Sequence, residues 1–238
     1  MNNAPLIMAF GAYVALVAVA VIGVLWRHLP RRPAGIGILA LLVWLTYAGA
    51  IGAFGVLRAP NLRPPGIVYL VVPLVGFIAL GLGRGQRGRV LAMRIPLWLI
   101  LGLQSFRVGV EVALHALWKV GLVPRLMTLA GGNVEIVVAL AAPLAAYLST
   151  RGSGGRRAAW AWNVVGLMSL LNVVVRAVLT APGPLNLIHA EVLNVAIGQF
   201  PFSYIPGFMV PLALTLHLLA FRALRGSAVA PRKTAASR

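Results

Sequence analysis

The fold class this sequence predicts is all-α, in a chain that crosses a membrane several times. Three observations carry the prediction. Of the 238 residues, 61% are hydrophobic and only 10% are charged, where a soluble domain carries about 25% charged residues. Long apolar runs recur along the whole chain, and the basic residues collect in alternate connections between them.

Seven runs are long enough to span a bilayer, at about 20 residues each. They cover roughly 6–26, 35–57, 66–83, 92–118, 134–150, 158–180 and 203–224. The first follows "MNNAP", which lacks the basic start of a cleaved signal peptide, so it is expected to stay as a span. The second ends at "GVLRAP" and the third contains Val72, Pro73 and Leu74. The fourth holds "QSFRVGVEVALH" (104–115) and the fifth opens beside Asn133 and Glu135. The sixth carries Ser169, Asn172 and Arg176, and the seventh contains Val210, Pro211 and Leu212. Pro73, Pro143, Pro206 and Pro211 each remove a backbone donor and permit a kink.

Charge sets the expected orientation. "RHLPRR", "RGQRGR" with Arg94, "RGSGGRR" and the C-terminal stretch from Arg222 hold 15 of the 21 Lys and Arg residues. The opposite connections hold only Arg58, Arg63, Lys119 and Arg125. Basic residues near span ends stay cytoplasmic, so the N-terminus is expected outside and the C-terminus inside. This topology accounts for the net charge of +18 without a nucleic-acid partner. Residues 1–224 read as one seven-helix transmembrane domain and 225–238 as a disordered basic cytoplasmic tail.

An internal echo runs through the chain. "GVLRAP" (55–60) and "AVLTAP" (177–182) end two runs, and a tyrosine precedes Val-Pro-Leu in both the third and the seventh. Read as a repeat, the runs divide three plus one plus three, with the two triplets parallel. That layout is similar to the SWEET and PQ-loop transporters, although no Pro-Gln dipeptide occurs in this chain. Microbial rhodopsins share the count and orientation, but they need a lysine in the last helix and 203–224 has none.

"QSFRVGVEVALH", "GGNVEIVVALAAPLAAYL" and "FPFSYIPGFMVPLAL" together resemble a group of uncharacterised bacterial integral membrane proteins. The resemblance covers roughly residues 100–224. It implies a multi-pass protein of the bacterial inner membrane and implies no chemistry.

The functional reading starts from charges placed where lipid should be. Gln104, Arg107, Glu111 and His115 follow spacings of three, four and four, one stripe on a helix. An ionisable group at the bilayer centre costs about 2.5–3.5 kcal/mol on insertion scales, so the stripe is expected to face protein or water. Arg107 and Glu111 stand at pairing distance along a helix. Glu135, Asn172 and Arg176 are expected at the same outer level.

Three readings of these groups stay open. One is a buried ion-pair network fixing the fourth, fifth and sixth runs. One is an outward-facing polar cavity that binds or transports a small anionic or amphiphilic molecule. Its ligand-binding residues would be Arg107, Glu111, His115, Glu135, Asn172 and Arg176. The third is metal binding by His115, Glu111, Glu135, His189 and Glu191, whose spacings match no metal signature, so no metal site is assigned.

The connection 181–202 carries His189 and Glu191 and has the apolar pattern of a short interfacial helix, which would act as a lid over the cavity. His217 reads as an interhelical hydrogen bond rather than a haem ligand. The sequence names no cofactor. With no cysteine and no aspartate the inventory for catalysis is thin, and an enzyme is not expected. The expected partners are the lipid bilayer and a small-molecule ligand. A homo-oligomer or a membrane partner stays open, and with it a non-catalytic structural or regulatory subunit as the alternative function.

Overall fold

The computed structural model describes residues 3–59, 61–78, 86–182 and 185–226, and every regular element among them is a helix. In chain order these are α1 Ala4–His28, α2 Arg31–Ala53, α3 Val68–Phe77, α4 Gln86–Arg94 and α5 Leu97–Leu103. There follow α6 Arg107–Lys119, α7 Glu135–Leu140, α8 Ala142–Leu148, α9 Gly152–Thr180 and α10 Val210–Gly226. Five helical stretches among the described residues are long and apolar enough to cross a membrane: Ala4–His28, Arg31–Ala53, Leu97–Lys119, Gly152–Thr180 and Ile205–Arg225. Most of the tail expected at 225–238, from 227 onward, lies outside the described residues, as do 79–83 of the third run.

The expected runs and the observed helices differ where proline intervenes. The run 92–118 is not one helix. Pro96 stands between α4 and α5 with ψ 137°, because its ring cannot continue the helix before it. A tight 3-10 turn, Gln104–Phe106, then joins α5 to α6. The fifth run is split at Ala141, just before Pro143, which has no N–H to give to the preceding turn. The seventh begins as a π-helical turn, Ile205–Met209, that carries Pro206.

Residues 185–195 form no helix, contrary to the expected interfacial one. Their backbone donors are taken elsewhere: Ile188 N donates to Leu179 O at 2.9 Å and Asn194 N to Thr180 O at 3.1 Å. The loop is thereby laced onto the end of α9, and an N–H used in that way cannot join a helical ladder.

α9 shows how the chain is sorted. Val165, Met168, Leu171 and Val175 are exposed and lie three or four residues apart, one outward stripe. Asn163, Ser169, Leu170 and Val173 are buried on the other side. The outward stripe is apolar, and Asn163 and Ser169 turn inward among apolar neighbours, as in a helix that meets lipid, although Asn172 is exposed. α10 is the central element, packed on α4, α5 and α9, while α5 packs on α8 and α6 on α7. α1 and α2 pair with one another and dock from one side. Trp44 Nε1 donates to Gly207 O at 2.6 Å, Tyr204 Oη to Leu45 O at 3.1 Å, and the Tyr13 hydroxyl to Phe106 O. The π-helical turn and the 3-10 turn are thus the points the first two helices grip.

Candidate functional site

The start of α6 positions the central side chain. Arg107 follows the 3-10 turn directly and is 3% exposed. Its guanidinium turns toward α7 and α10. Arg107 Nε donates to Glu135 Oε2 at 2.8 Å, Nη2 donates to the same oxygen, and Nη1 donates to His217 Nε2 at 3.1 Å. This is the one ion pair among the described residues.

The direction of the last bond fixes the histidine. Arginine has no acceptor, so His217 Nε2 must accept and Nδ1 carries the ring proton. Nδ1 then donates to Asn163 Oδ1 at 2.8 Å, and Asn163 Nδ2 returns a bond to the His217 carbonyl at 3.1 Å. A ring that accepts at one nitrogen and donates at the other is a neutral imidazole. Trp162 lies 6.1 Å from the ring, centroid to centroid. Gly166 leaves the ring its space: a Cβ there would sit 2.7 Å from His217 Cε1 and 3.1 Å from Val138 Cγ1.

The network continues from α7 back to α6 through Asn133. Its Nδ2 donates to Glu111 Oε1 at 3.0 Å, to Oε2 at 3.1 Å and to Met127 O at 3.0 Å. Its Oδ1 accepts from Glu135 N at 3.2 Å. Gly132 makes this placement available, with φ +84° closing the turn before Asn133. Glu111, Asn133, Glu135, Arg107, His217 and Asn163 therefore form one connected polar chain across α6, α7, α9 and α10. All six are buried. Gln104, also buried, donates separately to Ala213 O at 3.1 Å. Among these buried side chains, Glu135 Oε1 and Gln104 Oε1 have no hydrogen-bond partner.

The structure brings together Arg107, Glu111 and Glu135 of the expected set. The helical pair Arg107–Glu111 does not form, because Glu135 on α7 takes the guanidinium and Asn133 takes Glu111. Arg176 and Asn172 make a separate group. Arg176 Nη1 donates to Gly131 O at 2.9 Å and to Leu126 O at 3.1 Å, and Nε donates to Asn172 Oδ1 at 3.2 Å. His115 is exposed and packs edge-on against Trp118. His189 is exposed as well. Glu191 accepts from the Arg125 N–H, and that bond holds its carboxyl below the ordinary 4.5. Among the described residues no three His or Glu side chains converge as a metal requires.

Sequence reasoning assigned His217 an interhelical hydrogen bond, which is what it makes, but did not connect it to Arg107. Asn163 was missed altogether. A polar amide inside the sixth apolar run was the available signal.

Two grooves lie elsewhere. One of about 350 Å³ is lined mainly by apolar residues of α1, α5 and α10, with Tyr13 and Ser105. One of about 510 Å³ lies between α5 and α8. Neither is lined by a member of the polar chain.

Comparison with protein families matches residues 64–225 to a domain of unknown function, DUF8737. No curated protein and no solved structure matches the chain. The family match spans more than half of the 238 residues, and the chain belongs to the DUF8737 family.

Proposed function

We propose that this DUF8737 protein is a membrane transporter or binder of a small anionic or amphiphilic molecule, with Arg107 receiving the anionic end. In this reading the chain crosses a bacterial inner membrane seven times, two of the spans being the short α3 and the split α7–α8. The N-terminus faces out and the cytoplasmic tail in. The observation that carries the reading is the Arg107–Glu135 pair, a buried guanidinium whose carboxylate partner uses only one oxygen. Intramembrane ionisable groups are costly and mark sites of function by default.

The chemistry is an exchange of anions on Arg107. A carboxylate or phosphate that displaces Glu135 leaves Glu135 and Glu111 beside each other, linked through Asn133, with no cation. Uptake of one proton by that pair removes the excess charge, so the anion and a proton travel together. His217, neutral and held by Asn163, keeps Arg107 oriented throughout. The loop bearing His189 and Glu191 is the lid, fastened to Arg125.

A second reading has an observation of its own. The polar chain lines neither groove, as befits a packing network in a structural or regulatory subunit.

Glu111→Gln separates the two, because an amide still accepts from Asn133. Proteoliposomes holding the wild-type chain should take up labelled decanoate or acetate faster when the outside is made acidic. Glu111→Gln should fold with unchanged thermal stability and lose the pH-driven part of uptake. Loss of folding in that variant favours the packing network, and unchanged uptake in a folded variant removes the transport reading. Native purification adds a check: a stoichiometric membrane partner favours the subunit.

A further inference from the structure

We propose that the groove between α5 and α8 is a binding site for an anionic phospholipid, with an acyl chain along its floor and the phosphate on Arg151. The groove holds about 510 Å³ and is lined by Trp98 and Gly102 of α5 and by Pro143, Ala146, Tyr147 and Thr150. That volume falls within the roughly 300–1,000 Å³ of small-molecule sites. The two helices pack against one another along this face. The floor is made of small residues: a Cβ on Gly102 would lie 3.7 Å from that of Ala146. Gly102, Pro143 and Ala146 supply its apolar lining, and Trp98, Tyr147 and Thr150 its aromatic and polar groups.

Arg151 follows Thr150 directly and touches Tyr147, both of which line the groove. Its guanidinium lies over the Tyr147 ring, 4.4 Å from the centroid, and donates to the Tyr147 hydroxyl. The side chain is thereby seated beside the groove rather than free to sweep. Arg151 is exposed and open to an external anion, and none of the three acidic side chains of the sequence is spent on it. Glu135 is paired with Arg107, Glu111 is bonded to Asn133, and Glu191 is bonded to the Arg125 N–H. A bilayer supplies both parts of the missing ligand at one place, a phosphate at the level of an interfacial Trp and Tyr and an acyl chain below it. Guanidinium is well matched to phosphate oxygens.

Native mass spectrometry of the full-length chain tests the site, with phosphatidylglycerol and phosphatidylcholine supplied in equal amounts. The wild-type chain should retain phosphatidylglycerol in preference. Arg151→Gln should lower that retention about five-fold, the scale of one basic residue at an anionic surface. Gly102→Leu should lower retention of both lipids by filling the floor. Arg157→Gln removes an exposed charge from the same stretch of chain and should leave retention unchanged. Equal loss in the Arg151 and Arg157 variants means diffuse charge attraction and overturns the site. So do equal retention of the two lipids by the wild-type chain, displacement of phosphatidylglycerol by inorganic phosphate, and a dimer whose formation excludes lipid. If Gly102→Leu does not fold, the Arg151 and Arg157 pair decides alone.

Discussion

Arg107 on α6 and Arg176 on α9 both sit in apolar runs, yet the fold treats them differently. Arg107 is 3% exposed and is met by a carboxylate and an imidazole from two other helices. Arg176 is half-buried and is met by backbone carbonyls of Leu126 and Gly131 and by an amide on its own helix. Deep burial demands a full counter-charge, because carbonyl dipoles alone do not replace the hydration of a cation there. At a helix end beside a turn, water remains near and a few carbonyls suffice. The difference ties Arg107 to the packing of four helices and Arg176 only to one turn.

The largest effect expected from breaking this contrast is at Glu135. Glu135→Gln strands the Arg107 charge and should destabilise the protein by about 3–5 kcal/mol. Thermal unfolding in detergent reads the loss. The double variant Arg107→Met with Glu135→Leu should be more stable than Glu135→Gln, since no charge is left uncompensated. A double variant as unstable as the single one would show that Asn133 and His217, not the ion pair, hold the helices.

Gly166→Ala comes next. The added methyl meets His217 and Val138 at 2.7 Å and 3.1 Å, and overpacking of this kind costs about 1–3 kcal/mol. Most of the loss should disappear in a His217→Ala background, where the ring is gone and only the Val138 contact remains. Arg176→Gln should cost less, about 1 kcal/mol, because the carbonyls it releases can be reached by water. Hydrogen exchange should rise in residues 125–133 and stay level in α10.

The smallest effect is at Glu191. Its folded-state pKa lies below the ordinary 4.5, so its contribution is complete above that value and fades as the pH falls through the folded-state value. The group is exposed, and solvent screens most of it. Glu191→Gln should therefore lower stability slightly at neutral pH, flatten the shallow acid limb, and leave stability unchanged at pH values below the folded-state pKa.

α1 and α2 extend the comparison to whole regions. The most apolar 18-residue windows of these two helices are 22% buried, against 44% in Leu97–Lys119 and 56% in Ile205–Arg225. The family match starts at residue 64, after both of them. The polar chain lies wholly within the matched and better buried part; α2 grips the turn at 205–209, while α1 binds the turn at 104–106 and packs along α6.

By itself the sequence determined that the chain is helical and apolar enough to cross a membrane, because hydrophobic length is a local quantity that any window of the chain displays. It also determined that Arg107, Glu111 and Glu135 must be shielded, since the cost of a bare charge in hydrocarbon does not depend on the fold. Only the tertiary structure decided who shields whom. Glu111, four residues from Arg107, was the local choice, yet Glu135 and His217, 28 and 110 positions away, reach the guanidinium instead. The physical reason is that pairing in a helix bundle is set by which faces the packing turns together. The breaks at Pro96, at 104–106 and at Ala141 also interrupt the runs, so spacing along one continuous helix does not relate those faces.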